Sequence, residues 1–303
     1  MINFQRLDLN NKAQYDKYLM NCGERGCEYS FTNLFLWGRQ KAFFAGNRLL
    51  LFSQFDRRSV YPFPVGDGDL KPVLDAIIRD AKKRGIPCCL TSMTQADCDT
   101  LESLYPGQFR FYTDRDNFDY VYSIDDLADL KGRKYQKKRN HIHRFEEAHP
   151  DYQVLPLDKH TLMDAFTMLA QWYRARSEAD PHMDFHLEQL ALQRAFTFQT
   201  QLEMEGLVLM DGGQVLAFTM GSRLSNDTFD VHFEKAMDTA DGAYPVINRE
   251  FARSLRAKYP ELRWLNREDD LGLEGLRKAK LSYYPDHLVE KHWARLWEEE
   301  DEH

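Results

Sequence analysis

The sequence lacks most of the features that would fix its class at a glance. No apolar run approaches the roughly 20 residues that a bilayer-spanning helix needs. Residues 1–12 (MINFQRLDLNNK) have none of the apolar core of a secretion signal. The five cysteines are an odd number and none forms a CxxC pair. A disulfide framework and a cysteine-built zinc site are therefore not expected; reduced thiols, a cytoplasmic setting and no metal are. A P-loop is absent, since Gly132-Arg133-Lys134 is not one, and so are the sequence motifs of Ser/Cys–His–Asp nucleophiles. An excess of base is lacking too. Lys and Arg number 40 against 48 Asp and Glu, a net charge of −8, which excludes a uniformly basic nucleic-acid binder. Size is not limiting. At about 150 residues per domain, 303 residues make about two domains with cores that need no staple. The 43% hydrophobic and 29% charged content is that of a soluble globular protein.

The charge is unevenly spread. Residues 1–123 carry 16 basic and 15 acidic side chains; residues 124–303 carry 24 and 33. Inside the acidic half, residues 131–144 (KGRKYQKKRNHIHR) hold seven cations and no acid. Read as a helix, the segment puts Tyr135, Ile142 and Phe145 on one side, because steps of seven and three stay on one helix face. Lys131, Arg133, Lys134, Lys137, Lys138, Arg139 and Arg144 then face outward. Three roles fit such an array: neutralising a phosphate backbone with release of counterions, a solvated linker between domains, or contact with an acidic membrane surface. Residues 298–302 form an unbroken acidic run that reads as a solvated tail.

Periodicity and turn signals predict a β/α alternation over residues 1–123. Helices are expected over 11–21 and 29–37, with strands at 42–45 and 49–52 joined by Gly46-Asn47. An extended stretch at 61–66, a helix over 69–84 stopped by Gly85, a strand at 88–90, a helix at 96–105 and strands at 109–112 and 120–123 follow. The second half reads as helices over 158–176 and 185–202, then strands at 207–210 and 215–223 around Asp211-Gly212-Gly213, and a strand at 228–233. A helix over 245–258 with Pro245 in its first turn, a strand at 262–265, a helix over 271–280 and a strand at 288–289 complete it. The expected fold class is α/β (α+β), with one domain over 1–123 and another over 124–303 that includes the basic segment.

Three places carry residues suited to chemistry. His232 and Glu234 are two apart on one strand and face the same side, as an acid–base pair or as a structural histidine held by a carboxylate. Residues 234–244 lead from that strand into a helix, whose first turn offers free amides and a positive dipole end. Gly242 and Ala243 permit close approach of a phosphate there, while Asp238 and Asp241 oppose it. Asn266, Arg267, Glu268, Asp269 and Asp270 follow the carboxyl end of a strand, a common position for a site. The next helix brings Lys278, Lys280 and then Tyr283. A tyrosine or lysine there suits proton donation to a leaving group, and a carboxylate such as Glu234 suits deprotonation of an amine. The plain alternative is a salt-bridged turn in which Arg267 pairs with Glu268 or Asp269. His182, Asp184 and His186 also alternate, but they open a helix, where i,i+2 positions do not face together, so no metal site is expected.

The strings VHFEKA (231–236), DGAYPVIN (241–248) and NREDDLGLEGLRKAKLSY (266–283), with EYSFTNLFLW (28–37) and KKRN (137–140), resemble a bacterial family. That family shares a domain with the C-terminal, cytosolic part of phosphatidylglycerol lysyltransferases. The resemblance touches both halves of the chain. It implies two tandem acyl-CoA N-acyltransferase (GNAT-like) domains with mixed, largely antiparallel sheets. It also implies transfer of an aminoacyl group from charged tRNA to an amine or hydroxyl acceptor, be that a small molecule, a lipid head group or a peptide. On that reading Glu234 is the expected base with Glu268 as second choice, and Tyr283 the proton donor to the leaving ribose oxygen. His232, Asn248, Asn266, Arg267, Lys278 and Lys280 would surround the substrate. Lys134, Lys137, Lys138 and Arg139 would hold the RNA, with Gly242 and Ala243 near phosphate. No cofactor is required. Coenzyme A is the alternative donor, although residues 235–243 lack the Gly-rich pattern by which GNAT enzymes hold its pyrophosphate. The rival expectations are an acyl-CoA-dependent N-acyltransferase and a non-catalytic RNA- or protein-binding module on the same fold.

Overall fold

The computed structural model describes residues 1–55, 58–180 and 184–297, so His182 and the acidic run at 298–302 lie outside the described residues. In chain order the first elements are β1 (Gln5–Arg6), α1 (Lys12–Leu19), α2 (Phe31–Trp37), β2 (Gln40–Ala45), β3 (Arg48–Phe55), β4 (Arg58–Pro62), β5 (Val65–Gly66), α3 (Lys71–Arg84), β6 (Cys89–Met93), α4 (Gln95–Leu104) and β7 (Phe109–Thr113). Then come β8 (Asp119–Ser123), α5 (Ile124–Asp129), α6 (Gln136–Ala148), β9 (Gln153–Pro156), α7 (Leu162–Ala179), α8 (His186–Thr197), β10 (Glu205–Asp211), β11 (Gln214–Arg223) and β12 (Thr228–Ala236). The last are α9 (Ala243–Lys258), β13 (Trp264–Asn266), α10 (Glu274–Leu281), β14 (His287–Val289) and β15 (His292–Leu296).

The chain divides into two units. The first comprises Met1–Asp119, Asp269–Glu274 and Leu288–His303; the second comprises Tyr120–Glu268 and Gly275–His287. The sequence reading put everything after residue 123 into the second domain. The structure returns the last described strand to the first unit, because β15 pairs antiparallel with both β6 and β7 and fills the place between them. Five residues of mixed polarity, HWARL, carry too little periodicity to reveal that strand.

The first unit's sheet runs β1-β2-β3-β4-β6-β15-β7. Its core gathers Phe4, Phe52, Tyr61, Leu74, Ile77, Leu90, Leu101 and Ala294. Helix α3 fits the sequence rules. Pro72 sits in its first turn, Leu74, Ile77 and Ala81 are buried, and Gly85 closes it at φ 67°, a conformation natural to glycine. One buried ionic cluster ties the ends of this unit together. The Lys291 ammonium, 3% exposed, lies 2.6 Å from Asp119 Oδ1 and 2.9 Å from Glu28 Oε1. Burial opposes its charge, but Asp119, Cys27 and Glu28 outweigh that and hold Lys291 well above the ordinary lysine range. Cys27, Glu28 and Asp119 bring potential ligand atoms within 4.8 Å of one another, and the ammonium stands among them.

The second unit's sheet runs β14-β8-β13-β12-β11-β10-β9. Strands β12 and β13 are parallel and joined by α9, whose Val246, Ile247, Phe251 and Leu255 are buried. Phe251 meets Phe229 of β12 edge to face at 5.8 Å. The ladder between β11 and β12 shifts register between Met220 and Ser222. Gly221 lies in that bulge, where a Cβ would stand 2.0 Å from the Asp230 carbonyl oxygen, so only glycine lets the strands approach. The basic segment is helical as predicted, and Tyr135, Ile142 and Phe145 are its buried residues. Strand β9 and helix α5 were not anticipated. The helix expected from 158 begins at Leu162, since Thr161 Oγ1 accepts from the Asp158 N–H at 3.0 Å and donates to the Pro156 carbonyl at 2.8 Å. Similarly, Leu271 and Gly272 turn through positive φ before α10 starts at Glu274.

Two stability outcomes follow. Lys291→Met leaves Asp119 and Glu28 buried without their cation and is expected to cost about 3–5 kcal/mol in urea unfolding; a loss below about 1 kcal/mol would contradict it. Gly221→Ala is expected to lower the unfolding midpoint, with hydrogen exchange accelerated in β11 and β12 rather than in the first unit's sheet.

Candidate functional site

The site grows out of the turn after β13. Asn266, fully buried at the strand's end, accepts the Glu268 N–H on its Oδ1 at 2.7 Å. Glu268 adopts φ 56°, a left-handed conformation that costs a side-chain-bearing residue of order 1 kcal/mol. Its neighbours hold it there. The Arg267 N–H donates to the Tyr120 carbonyl at 2.9 Å, and the Tyr120 N–H donates to the Glu268 carbonyl at 3.1 Å. The Lys280 ammonium donates to the carbonyls of both Arg267 and Glu268. The turn sends consecutive side chains to different partners: Arg267 to Glu234, and Glu268 to His232.

Around Glu234 the arrangement is polar and largely buried. Arg267 Nη2 donates to Glu234 Oε1 at 2.8 Å, and Asn248 Nδ2, from α9, donates to Glu234 Oε2 at 3.3 Å. Arg267 Nη1 and Asn248 Oδ1 are buried without a protein partner. The Arg267 guanidinium lies over the rings of Tyr283, at 4.9 Å, and Tyr122, at 5.6 Å. Lys138, from α6, sits 3.7 Å from the Tyr283 ring centre and donates to Ser282 Oγ at 2.7 Å. Burial, then the nearby Arg267 charge, pull the Lys138 ammonium down to about 8, against a smaller opposing pull from Glu234. Burial pushes the Tyr283 phenol far above its usual range, with Arg267 opposing, so its hydroxyl stays protonated at neutral pH.

His232 heads a second network. Its Nδ1 is 3.2 Å from Glu268 Oε1 and 3.4 Å from Asp230 Oδ2, and its Nε2 is 2.9 Å from Ser222 Oγ. Two carboxylates at Nδ1 favour the ring proton there, leaving Nε2 to accept from the serine. Serine, histidine and carboxylate thus come together from β11, β12 and the turn, although no sequence motif announced them. Ser222 is 2% exposed, which suits a partner that fixes the ring.

Not every expected residue joins the cluster. Glu234, Asn248, Arg267 and Tyr283 meet, with His232, Glu268 and Asn266 alongside. Lys280 points inward as a clamp on the turn, and Lys278 stays exposed on α10. The expected RNA-binding cations are largely occupied. Lys134 pairs with Asp126 at 2.8 Å, and Lys131 with Asp129 at 2.7 Å. Arg139 donates to the carbonyls of Leu130 and Gly132 and to Gln136. Lys137 remains exposed, while Lys138 turns toward Tyr283. Gly242 does not present open backbone: a Cβ there would stand 2.5 Å from the His141 carbonyl oxygen, so its approach side is taken by α6. Ala243 is fully buried, and Asp241 faces His141 and Arg144, each at 3.6 Å. Tyr122 and Ser282 were missed. The Ser282–Tyr283 adjacency was visible, but only packing against α6 and β8 gives it meaning.

The depressed Lys138 value sets a pH signature. The folded chain holds this proton to about 8 and the unfolded chain to 10.5, so the unfolded state binds more protons between them. Stability therefore rises with pH across that window, and the penalty is full below about 8. Lys138→Met is expected to gain stability over the parent at pH 7 and to lose that advantage by pH 10. A pH-independent difference in urea unfolding would contradict it.

With this geometry in hand, comparisons place the chain. A curated relative from Mycoplasmoides gallisepticum, described as an uncharacterised protein, is 23% identical over 180 residues. That match covers 58% of this chain and 56% of the relative, so the chain spans just over half the length of that relative. A solved Bacteroides thetaiotaomicron protein described as conserved and of unknown function is 37% identical, with a TM-score of 0.92 over 98% of this chain and 100% of that one. The structure of L-PGS from Bacillus licheniformis shares the fold at 15% identity, with a TM-score of 0.67 over 98% and 94% of the two chains. A tandem GNAT protein of the clavulanic acid biosynthesis pathway shares it at 9% identity and a TM-score of 0.51, covering 97% and 98%. The fold is accordingly two tandem GNAT-like domains with mixed sheets. Among the described residues no helix is long and apolar enough to cross a membrane. The family described as phosphatidylglycerol lysyltransferase, C-terminal, matches residues 20–295, and this chain belongs to it.

Proposed function

We propose that the chain is an aminoacyl-group transferase that uses an aminoacyl-tRNA donor and an amine or hydroxyl acceptor. Family membership supports the reaction class. The observation that carries the reading to residues is the Glu234 carboxylate, fixed between Arg267 and Asn248, with one donor and one acceptor beside it left buried and unused. Buried polar atoms in native proteins nearly always have partners, so such a pair points to groups supplied by a ligand. Arg267 Nη1 suits the ester carbonyl oxygen, whose charge grows as the tetrahedral centre forms. Asn248 Oδ1 suits an N–H of the aminoacyl or acceptor group.

In the proposed step Glu234 takes the proton of the acceptor N–H or O–H. The acceptor atom bonds to the carbonyl carbon, the ester C–O bond breaks, and the leaving ribose oxygen takes a proton, with the Tyr283 hydroxyl as candidate donor. His232, Ser222 and Asp230 hold Glu268 and the turn in place. The acyl-CoA alternative is less favoured, since the approach to the Gly242 backbone is filled by α6.

Glu234→Gln keeps the size and the hydrogen-bonding outline of the side chain but removes the base. It is expected to slow transfer about 10²–10⁴-fold with the far-ultraviolet dichroism unchanged. Full activity in the variant would overturn the assignment. Binding of charged tRNA with no acyl turnover by the parent protein would favour the non-catalytic module.

A further inference from the structure

We infer that Arg267 and Lys138, the latter positioned by Ser282, form a subsite for one phosphate group carried by a partner of the transfer reaction. The inference deepens the transferase reading and rests on it for the ligand's role, although the binding itself is independent of turnover. The first ground is charge. Lys138 and Arg267 both lie against the Tyr283 ring, and Glu234 is the carboxylate that answers them. Lys138 makes no ion pair among the described residues; its hydrogen-bond partner is the neutral Ser282 hydroxyl. One unit of positive charge is thus left uncompensated in a partly desolvated setting, an arrangement that costs free energy unless an anion completes it.

The second ground is hydrogen bonding. Arg267 Nη1 is buried and unused, and an ammonium has three donors of which Ser282 takes one. Ser282 Oγ itself donates to the Ala279 carbonyl at 2.6 Å, so its hydrogen is committed and its lone pairs fix the ammonium. Nη1 carries two hydrogens, so the one not turned to the ester carbonyl oxygen is available to a phosphate oxygen, beside the remaining ammonium donors of Lys138. The third ground is the depressed proton affinity of Lys138, whose second cause is the Arg267 charge. A bound anion would reverse that effect. The subsite differs from the outward array first read in the basic segment. Lys131, Lys134 and Arg139 are held by the protein itself, and Lys138 alone of these four is directed to the Arg267 cluster.

Titration of the full chain with inorganic phosphate, glycerol phosphate and adenosine monophosphate tests this, with chloride and acetate at matched ionic strength as controls. The readouts are affinity by calorimetry and the Lys138 titration by NMR on isotope-labelled lysine. Phosphate is expected to raise the Lys138 proton affinity by about one pKa unit or more. Lys138→Met is expected to weaken binding about tenfold, and Lys138→Arg to restore most of it. Glycerol phosphate binding more tightly than adenosine monophosphate identifies a lipid-type head group, and the reverse order a nucleotide end; both support the subsite. Identical effects from phosphate and chloride, an unmoved Lys138 titration, or equal affinity in a folded Lys138→Met variant would overturn it. None of these readouts depends on transfer, so an active enzyme without phosphate binding loses only the subsite. Phosphate binding without transfer loses only the transferase reading.

Discussion

The Lys280 ammonium is the constraint on which the second unit's polar centre depends. It is 8% exposed and bonded to two consecutive carbonyls, those of Arg267 and Glu268. A buried cation without acceptors is strongly unfavourable, so the turn must bring those two oxygens to it. Doing so holds Glu268 in the left-handed region, and that conformation separates two neighbouring side chains. Arg267 goes to the carboxylate of Glu234 and Glu268 to the ring of His232. The residue type expected to meet a ligand acts here as an internal scaffold for the residues that do.

The protein meets the problem of a buried amine in three ways. Lys291 is surrounded by carboxylates, which hold its proton more firmly than water would. Lys280 donates to two backbone carbonyls, those of Arg267 and Glu268. Lys138 has a hydroxyl and an aromatic face, and its hold on the proton weakens to about 8. The first joins chain segments far apart in sequence, and the second ties α10 to the turn just before it. The third is open in the electrostatic sense, since its charge is not matched locally, and it lies beside Arg267, whose Nη1 has no protein partner.

Much of this was legible from residues alone. The amphipathic spacing of Leu74 and Ile77, the Gly85 stop and the Gly46-Asn47 and Gly212-Gly213 turns depend on neighbours a few positions away, and they formed as read. The polar string at 266–270 after a strand announced the site, and the period of two on β12 put His232 and Glu234 on one face. Other features depended on distant partners. Asn248 reaches Glu234 only because α9 crosses back over β12, and Lys138 changes role because α6 packs against the residues after α10. Gly242 looked like open backbone for a phosphate and proved to be a point of helix contact. A sequence shows that a glycine permits close approach, not what approaches. Strand β15 was missed for the same reason: its place is set by β6 and β7, not by its own five residues.

The position of β15 bears on how the first unit can be made. Thr113 of β7 accompanies the Lys291 carbonyl beside β15 across a separation of 178 residues. A ribosome therefore delivers β1 to β7 long before the strand that belongs between β6 and β7, and the Asp119 carboxylate long before its ammonium. Through that interval two interior strand edges stand unpaired, a state prone to wrong pairing. Most of the second unit, by contrast, emerges as one stretch and meets its partners locally. The order of synthesis and the order of completion are thus opposed: the unit that begins first finishes last, and chaperone dependence or arrested folding should concentrate there.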